Sequence, residues 1–428
     1  MIDQGHAVSV PARHRLLMAH ARGTWLGAVA LAMHFSLTGA ILMAADGVFW
    51  RNVRPPKKLA LYVATLTVVG LIEILITHFG DRPQPLIERT ALFGLGAICV
   101  ATMIGSDRAV DQRRLLLTFA FVILAANLGT WLVGLQGQSV YQGLAPEGEM
   151  IKGLRRVQFF FAFGINAYGT TAGLFLALAL ADTLTTRSWF SLTVAGMALA
   201  TVFLTDSRGA LLAALLTVIA CYLPRWRALP RMIVICSLFA LPTILLLGPL
   251  LNSLFSFAIR TDGVDLTTGR ASYWISITSR LPEYVNNWWL GFGLMGSTRL
   301  SIPLSNISQL SAYLRQGDAL PHAHNLWLQI FLEGGILKLL VVLSLLLSIA
   351  RAAARIQQNN IRRLALSFLY IPIAGMTEST FDYMRIENLL FLFVLAGVAF
   401  SNSESSEGLR RLSTKTKFER DAPNAFSS

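Results

Sequence analysis

Apolar runs about as long as a membrane is thick recur along this chain, separated by short polar breaks. A helix needs roughly 20 residues to cross about 30 Å of hydrocarbon. The pattern predicts spans near Leu59–His78, Ala91–Gly105, Leu115–Leu135, Phe160–Ala181, Trp189–Thr205, Gly209–Leu223, Met232–Leu250, Leu326–Ala350, Leu364–Met376 and Asn388–Phe400. Gly23–Trp50 is also apolar, and reading it as two short helices with a break near Ser36–Gly39 brings the total to about twelve. Backbone exposed to lipid must satisfy its own N–H and C=O groups, so continuous apolar runs mean helices. A β-barrel would show short alternating segments instead. The expected fold is an all-α polytopic integral membrane protein with one large extramembrane loop, 251–321. Within that loop Leu251–Trp289 alternates apolar and polar stretches and carries Trp274, Trp288 and Trp289. It suits short amphipathic helices lying on the membrane surface, or simply an interfacial cap on the bundle.

Composition agrees with this reading. Hydrophobic residues make up 54% of the 428 positions and charged residues 14%, against about 45–50% and about 25% in soluble domains. The mean hydropathy of +0.57 excludes a disordered chain, which lacks the apolar residues to bury a core. The three cysteines, Cys99, Cys221 and Cys236, all fall inside expected spans, where they read as packing residues.

The net charge of +13 on a soluble protein would point to nucleic acid. Its distribution gives another meaning. The basic residues concentrate in the connectors Arg51–Lys58, Arg108–Arg114, Arg225–Arg231 and Arg351–Arg363, each an even number of spans from the next. One topology puts all four in the cytoplasm, together with Arg410, Arg411, Lys415 and Lys417 of the tail. The excess is then a topology signal, with membrane lipids as its partner and no nucleic acid. Residues 1–400 form a single membrane-embedded domain, and 401–428 a polar, Ser-rich cytoplasmic tail expected to be disordered. On that topology the large loop faces outward, into the periplasm if the membrane is the inner membrane of a Gram-negative cell. Lys338, Asp46, Glu73 and Glu333 are charges within or at the edges of spans.

Three outward clusters carry candidate chemistry. The first is Thr205-Asp206-Ser207-Arg208-Gly209-Ala210-Leu211-Leu212, a hinge so short that Arg208 sits at the membrane's outer edge. Either it points into the bundle, or it snorkels to headgroups with Asp206 as a helix cap. The second is Thr268-Gly269-Arg270 with Trp274 and then Gly291-Phe292-Gly293. The third is Pro321-His322-Ala323-His324-Asn325-Leu326-Trp327, running into a span through Glu333-Gly334-Gly335. Two histidines one residue apart suggest zinc, but no further ligand stands at a recognisable spacing. They also suit the polar start of a helix. Arginine's planar fork fits phosphate oxygens, and histidine accepts a proton near neutral pH. Together they suit a diphosphate-linked donor and a hydroxyl acceptor. No Walker loop, Asp-x-Asp pair or dinucleotide fingerprint is present, so no nucleotide and no other cofactor is expected.

At these clusters the chain resembles the O-antigen ligase and polymerase superfamily of polytopic membrane glycosyltransferases. Ser207-Arg208-Gly209-Ala210-Leu211-Leu212 supplies an arginine four positions before a leucine, and His324 stands ten before Gly334, as in family ligases. Leu337 and Lys338 occupy places where the family usually has a small residue. The resemblance implies a glycan taken from undecaprenyl diphosphate and passed to a sugar hydroxyl of lipid A–core on the periplasmic face. It implies metal-independent displacement at the anomeric carbon, with inversion. His324 would deprotonate or orient the acceptor hydroxyl, with His322 as the fallback base. Arg208 and Arg270 would bind the departing diphosphate. Arg155 and Arg156 are further candidates for lipid phosphates, and Asn325 and Trp274 belong to the same substrate-binding set. Glu378 and Asp382 would orient the site or pair with Arg385. A polymerase or a protein O-oligosaccharyltransferase of the same superfamily would share these motifs. In a lipid or polysaccharide transporter, by contrast, the arginines would line a conduit.

Overall fold

The computed structural model describes residues 12–33, 55–78, 96, 109–135, 157–162, 164–223, 226–254, 270–294, 296–300, 323–381 and 387–403. Within them the regular elements are all helical. They run α1 (Ala12–Met33), α2 (Lys57–His78), α3 (Ala109–Leu132), α4 (Ile165–Thr186), α5 (Trp189–Leu204), α6 (Arg208–Tyr222), α7 (Leu229–Leu254), α8 (Arg270–Arg280), α9 (Leu326–Arg355), α10 (Asn359–Leu366) and α11 (Tyr370–Ala374), closed by α12 (Glu387–Ser403). Helices α2, α3, α4, α7 and α9 are each long and apolar enough to cross a membrane, and α5, α6 and α12 are shorter apolar helices. The number of about twelve is not reached by the described residues. Ala91–Gly105 and the second half of Gly23–Trp50 lie almost entirely outside them.

Large apolar side chains lie on the outside of the bundle as well as in its core. Leu61, Leu71, Leu75, Trp189, Phe203 and Leu246 are exposed, while Glu73, Gln329, Glu333, Lys338 and Asn388 are buried. Lipid accepts the first set at no cost, and polar groups in a membrane protein belong in the bundle interior. The core runs along α4 and α12, where small and aromatic residues alternate: Ala172, Phe175 and Ala177 pack with Phe391, Phe393 and Ala396.

Two sets of contacts mark the two ends of the bundle. At one end Arg113 pairs with Asp182 at 3.2 Å, and the Arg363 guanidinium lies 4.0 Å over the Tyr222 ring and donates to Thr185 Oγ1 at 3.2 Å. At the other, a Cβ on Gly169 would strike the Ser207 hydroxyl. Gly169 and Thr185 are 16 residues apart on α4, about 24 Å along its axis. The base-rich connectors at Arg108–Arg114 and Arg351–Arg363 thus share one end, as the charge pattern predicts.

Several boundaries differ from the sequence expectation. Helix α1 begins at Ala12, ahead of the expected start at Gly23, and so includes Arg13, Arg15 and Arg22. The expected span Leu364–Met376 is a composite of α10, a 3-10 turn at Ser367–Leu369, and α11. Pro372 explains part of this, because it has no N–H for the carbonyl four residues earlier. The expected single span Leu326–Ala350 is interrupted. Gly335 has φ 62° and ψ −158° inside α9, a conformation essentially restricted to glycine.

A segment of the outer loop fills that interruption. The N–H groups of Phe292 and Gly293 donate to the carbonyls of Leu332 and Glu333, at 2.8 and 2.9 Å. The Ile336 and Leu337 N–H groups donate to the carbonyls of Trp288 and Trp289, at 2.7 and 3.2 Å. Gly291 and Gly293, both at positive φ, let the backbones meet; a Cβ on Gly291 would lie 2.4 Å from the Glu333 carbonyl oxygen. All four backbone groups freed by the break are satisfied, as burial demands.

Candidate functional site

The site is built where the start of α9 abuts the end of α11. Three successive carbonyls of the turn after α11 each receive a donor from elsewhere. Gly375 O accepts from the Leu326 N–H at 2.7 Å, Met376 O from Asn325 Nδ2 at 2.8 Å, and Thr377 O from Arg270 NH1. One free N–H opening α9 thus meets a carbonyl closing α11, and two side chains take the next two carbonyls. The following residue, Glu378, points its carboxylate at both remaining players. Oε1 lies 2.6 Å from Arg270 NH2, and Oε2 lies 3.3 Å from His324 Nδ1.

His324 sits between two clamped neighbours. The Ala323 N–H donates to Gln329 Oε1 at 2.6 Å, and its carbonyl accepts the Trp274 indole N–H at 2.7 Å. Asn325 is the N-cap of α9, its Oδ1 accepting from the Trp327 and Leu328 N–H groups at 3.1 and 3.0 Å. Held this way, His324 has φ 51°, a left-handed conformation uncommon for residues other than glycine. Its bond to Glu378 favours the tautomer with the proton on Nδ1 and the lone pair on Nε2.

Arg208 opens α6 at the same end. Gly209 faces Thr377, where a Cβ would lie 3.4 Å from Oγ1. The guanidinium is bonded to Asp206 Oδ1 at 3.2 Å, and 60% of the side chain is exposed. Asp206 is therefore not the expected helix cap. It has φ 48° and pairs with Arg208, and Ser207 occupies the cap position without a side-chain capping bond. Arg208, Arg270 and His324 thus mark the starts of α6, α8 and α9, and partial positive charge accumulates at helix starts. In the described part of the site two arginines, Arg208 and Arg270, stand against two carboxylates, Asp206 and Glu378.

Residues 192–343 match the O-antigen ligase family model. Members of that family are membrane glycosyltransferases. The O-antigen ligase match covers roughly a third of the chain, from within α5 to within α9, and contains Arg208, Arg270, Trp274 and His324. Glu378 lies beyond its C-terminal boundary. A comparison with curated proteins finds no match.

The structure brings Arg270, His324 and Glu378 into direct contact, and the start of α6 approaches them through Gly209 and Thr377. Trp274 and Asn325 are fully buried and bear on His324 through the backbone on either side of it. His322, Arg155, Arg156, Asp382 and Arg385 lie outside the described residues. Among the described residues no group of three or more His, Cys, Asp or Glu side chains is arranged to hold a metal ion. Gln329 and Thr377 were not legible as site residues. Gln329 reads as one more polar residue in a span, and Thr377 contributes through its backbone, which leaves no sequence signal.

Proposed function

We propose that this protein is an O-antigen ligase. In this reading it transfers O-antigen polysaccharide from undecaprenyl diphosphate to a sugar hydroxyl of lipid A–core on the periplasmic face. The observation that carries the reading is the shared carboxylate of Glu378, 2.6 Å from Arg270 and 3.3 Å from His324. It joins a proton acceptor to a cation that suits a departing diphosphate.

The acceptor hydroxyl oxygen attacks the anomeric carbon of the lipid-linked glycan and forms the new glycosidic bond. The bond from that carbon to the diphosphate breaks, and its electron pair leaves on the diphosphate oxygen. His324 Nε2 takes the hydroxyl proton, a task worth roughly 10²–10⁴ in rate for a well-placed base. Glu378 orients the imidazole and stabilises its cationic form. Arg208 and Arg270 offset the charge that develops on the leaving diphosphate, assisted by the helix starts on which they stand. Attack opposite the leaving group inverts the anomeric centre.

The test is reconstitution of the purified protein in lipid vesicles with undecaprenyl-diphosphate-linked O-antigen and lipid A–core, without nucleotide. The expected product is lipid A–core carrying the polysaccharide, formed as the donor is consumed. Extension of the lipid-linked chain with untouched lipid A–core would instead identify a polymerase. Movement of intact donor between leaflets would identify a transporter.

A further inference from the structure

A chain of buried polar side chains lies below the site and takes no part in the chemistry just described. Gln329 Nε2 donates to Glu333 Oε1 at 2.6 Å, and Lys338 Nζ donates to Glu333 Oε2 at 2.7 Å and to Glu73 Oε2 at 3.0 Å. Gln329 and Glu73 are 0% exposed, Lys338 1% and Glu333 2%. Gly334 makes room for them, since a Cβ there would fall 2.4 Å from Glu73 Oε1. Burying three ionisable groups against one another carries a desolvation cost that apolar residues of the same size would avoid. Stability alone is a weak reason for this arrangement.

Its geometry supplies another reason. A glutamine amide has a donor end and an acceptor end, and its neighbours decide which faces where. With Nε2 committed to the Glu333 carboxylate, Oε1 faces the Ala323 N–H at 2.6 Å. The reversed amide would set its NH2 against that N–H, donor to donor. Glu333 therefore fixes the polarity of Gln329, and Lys338, shared between Glu333 and Glu73, holds Glu333 in place. Glu73 anchors Lys338 to α2, which also receives the Leu294 N–H on Thr77 Oγ1 at 2.8 Å. The chain stands at the interruption of α9, where the outer loop that follows Arg270 is bonded into the bundle.

We propose that Glu73, Lys338, Glu333 and Gln329 form a positioning relay. It sets the backbone at Ala323 and so holds His324 in its left-handed conformation against Glu378. The kinetic half of this proposal rests on the ligase reading above; the structural half does not.

The test measures two quantities on the same vesicle samples of the full chain, for wild type, Lys338→Met, Gln329→Met and the double variant. The first is the kinetics of glycan transfer to lipid A–core. The second is hydrogen exchange of a peptide covering residues 323–328. Each single variant is expected to lower kcat roughly tenfold, the low end of the range for losing an outer partner of a metal-bound histidine, with the donor KM within about twofold. The double variant should be no slower than the slower single one, because both break the same relay. Exchange at 323–328 should accelerate in Lys338→Met although Lys338 stands ten residues beyond that segment in the chain. Wild-type kcat in Lys338→Met, multiplicative losses in the double variant, or unchanged exchange would each overturn the relay. If Lys338→Met does not insert, Glu333→Gln takes its place in the cycle with the same expected outcomes. A wild type without transfer whose variants still show faster exchange would overturn the ligase reading and support the relay.

Discussion

His324 Nδ1 lies 3.3 Å from Glu378 Oε2, across 54 residues of sequence and between the start of one helix and the turn that ends another. The other oxygen of that carboxylate binds Arg270, 108 residues away, at 2.6 Å. A single anion therefore ties the candidate base to a candidate diphosphate ligand. Its removal should disturb both.

Glu378→Gln tests this tie. The amide is close in size to the carboxylate but presents no charge to Arg270 and gives little support to a cationic imidazole. Transfer should fall about 10²-fold in kcat, with the protein inserted and the donor KM raised as Arg270 loses its partner. Steady-state kinetics in vesicles check this. Wild-type turnover would show that Glu378 only packs the turn.

Arg208 should separate function from stability. Its side chain is 60% exposed and, among the described residues, is paired with Asp206 two residues away. Arg208→Ala should leave the melting temperature nearly unchanged, since exposed substitutions shift stability within about 0.5 kcal/mol. The loss of one charge-stabilising group should slow transfer about 10²-fold. Melting curves and transfer rates on the same preparation decide between this and a headgroup anchor, which would leave both unchanged.

Asn325 supports the site through the start of α9. Asn325→Ala removes the cap of two N–H groups and the donor to Met376 O. A lost cap costs about 1 kcal/mol, and the bared carbonyl adds to it. The melting temperature should drop, and kcat with it. Asn325→Ser, which keeps a capping oxygen, should recover part of the stability.

Tyr273 on α8 offers a pH readout for the outer segment. Burial pushes its hydroxyl up to about 12 from an ordinary 10. The folded protein therefore keeps this proton at pH values where the unfolded chain has lost it. Its contribution to stability is complete below pH 10 and declines as pH rises toward 12. Tyr273→Phe should be less stable by a constant amount at neutral pH and should show a shallower decline between pH 10 and 12. Parallel melting curves for the two proteins over that window would contradict the burial.

Much of this arrangement was legible from residue order. Long apolar runs gave the helices, and the basic connectors gave a shared end that the Arg113 and Arg363 contacts agree with. The short hinge at Thr205-Asp206-Ser207 and the polar start at His324-Asn325 stood out against their apolar surroundings. The interruption at Gly335 did not. Gly334-Gly335 reads as a motif inside an apolar run, and the break depends on four hydrogen bonds from a segment about 45 residues earlier. Glu73 and Lys338 are 265 residues apart, so periodicity identified two isolated charges in spans and not a pair. Glu378 was visible as an outer carboxylate whose partner could not be chosen, because hydropathy does not show which helix ends meet.

The most direct test of the account is transfer by His324→Ala in the reconstituted system, beside the wild type. His324 is 21% exposed at its side chain, and its neighbours are held by bonds of their own, so the variant should insert and melt like the wild type. Its kcat should fall by about 10²–10⁴, with lipid-linked polysaccharide left unconsumed. Wild-type transfer to lipid A–core by this variant would contradict the assignment of His324 as the base.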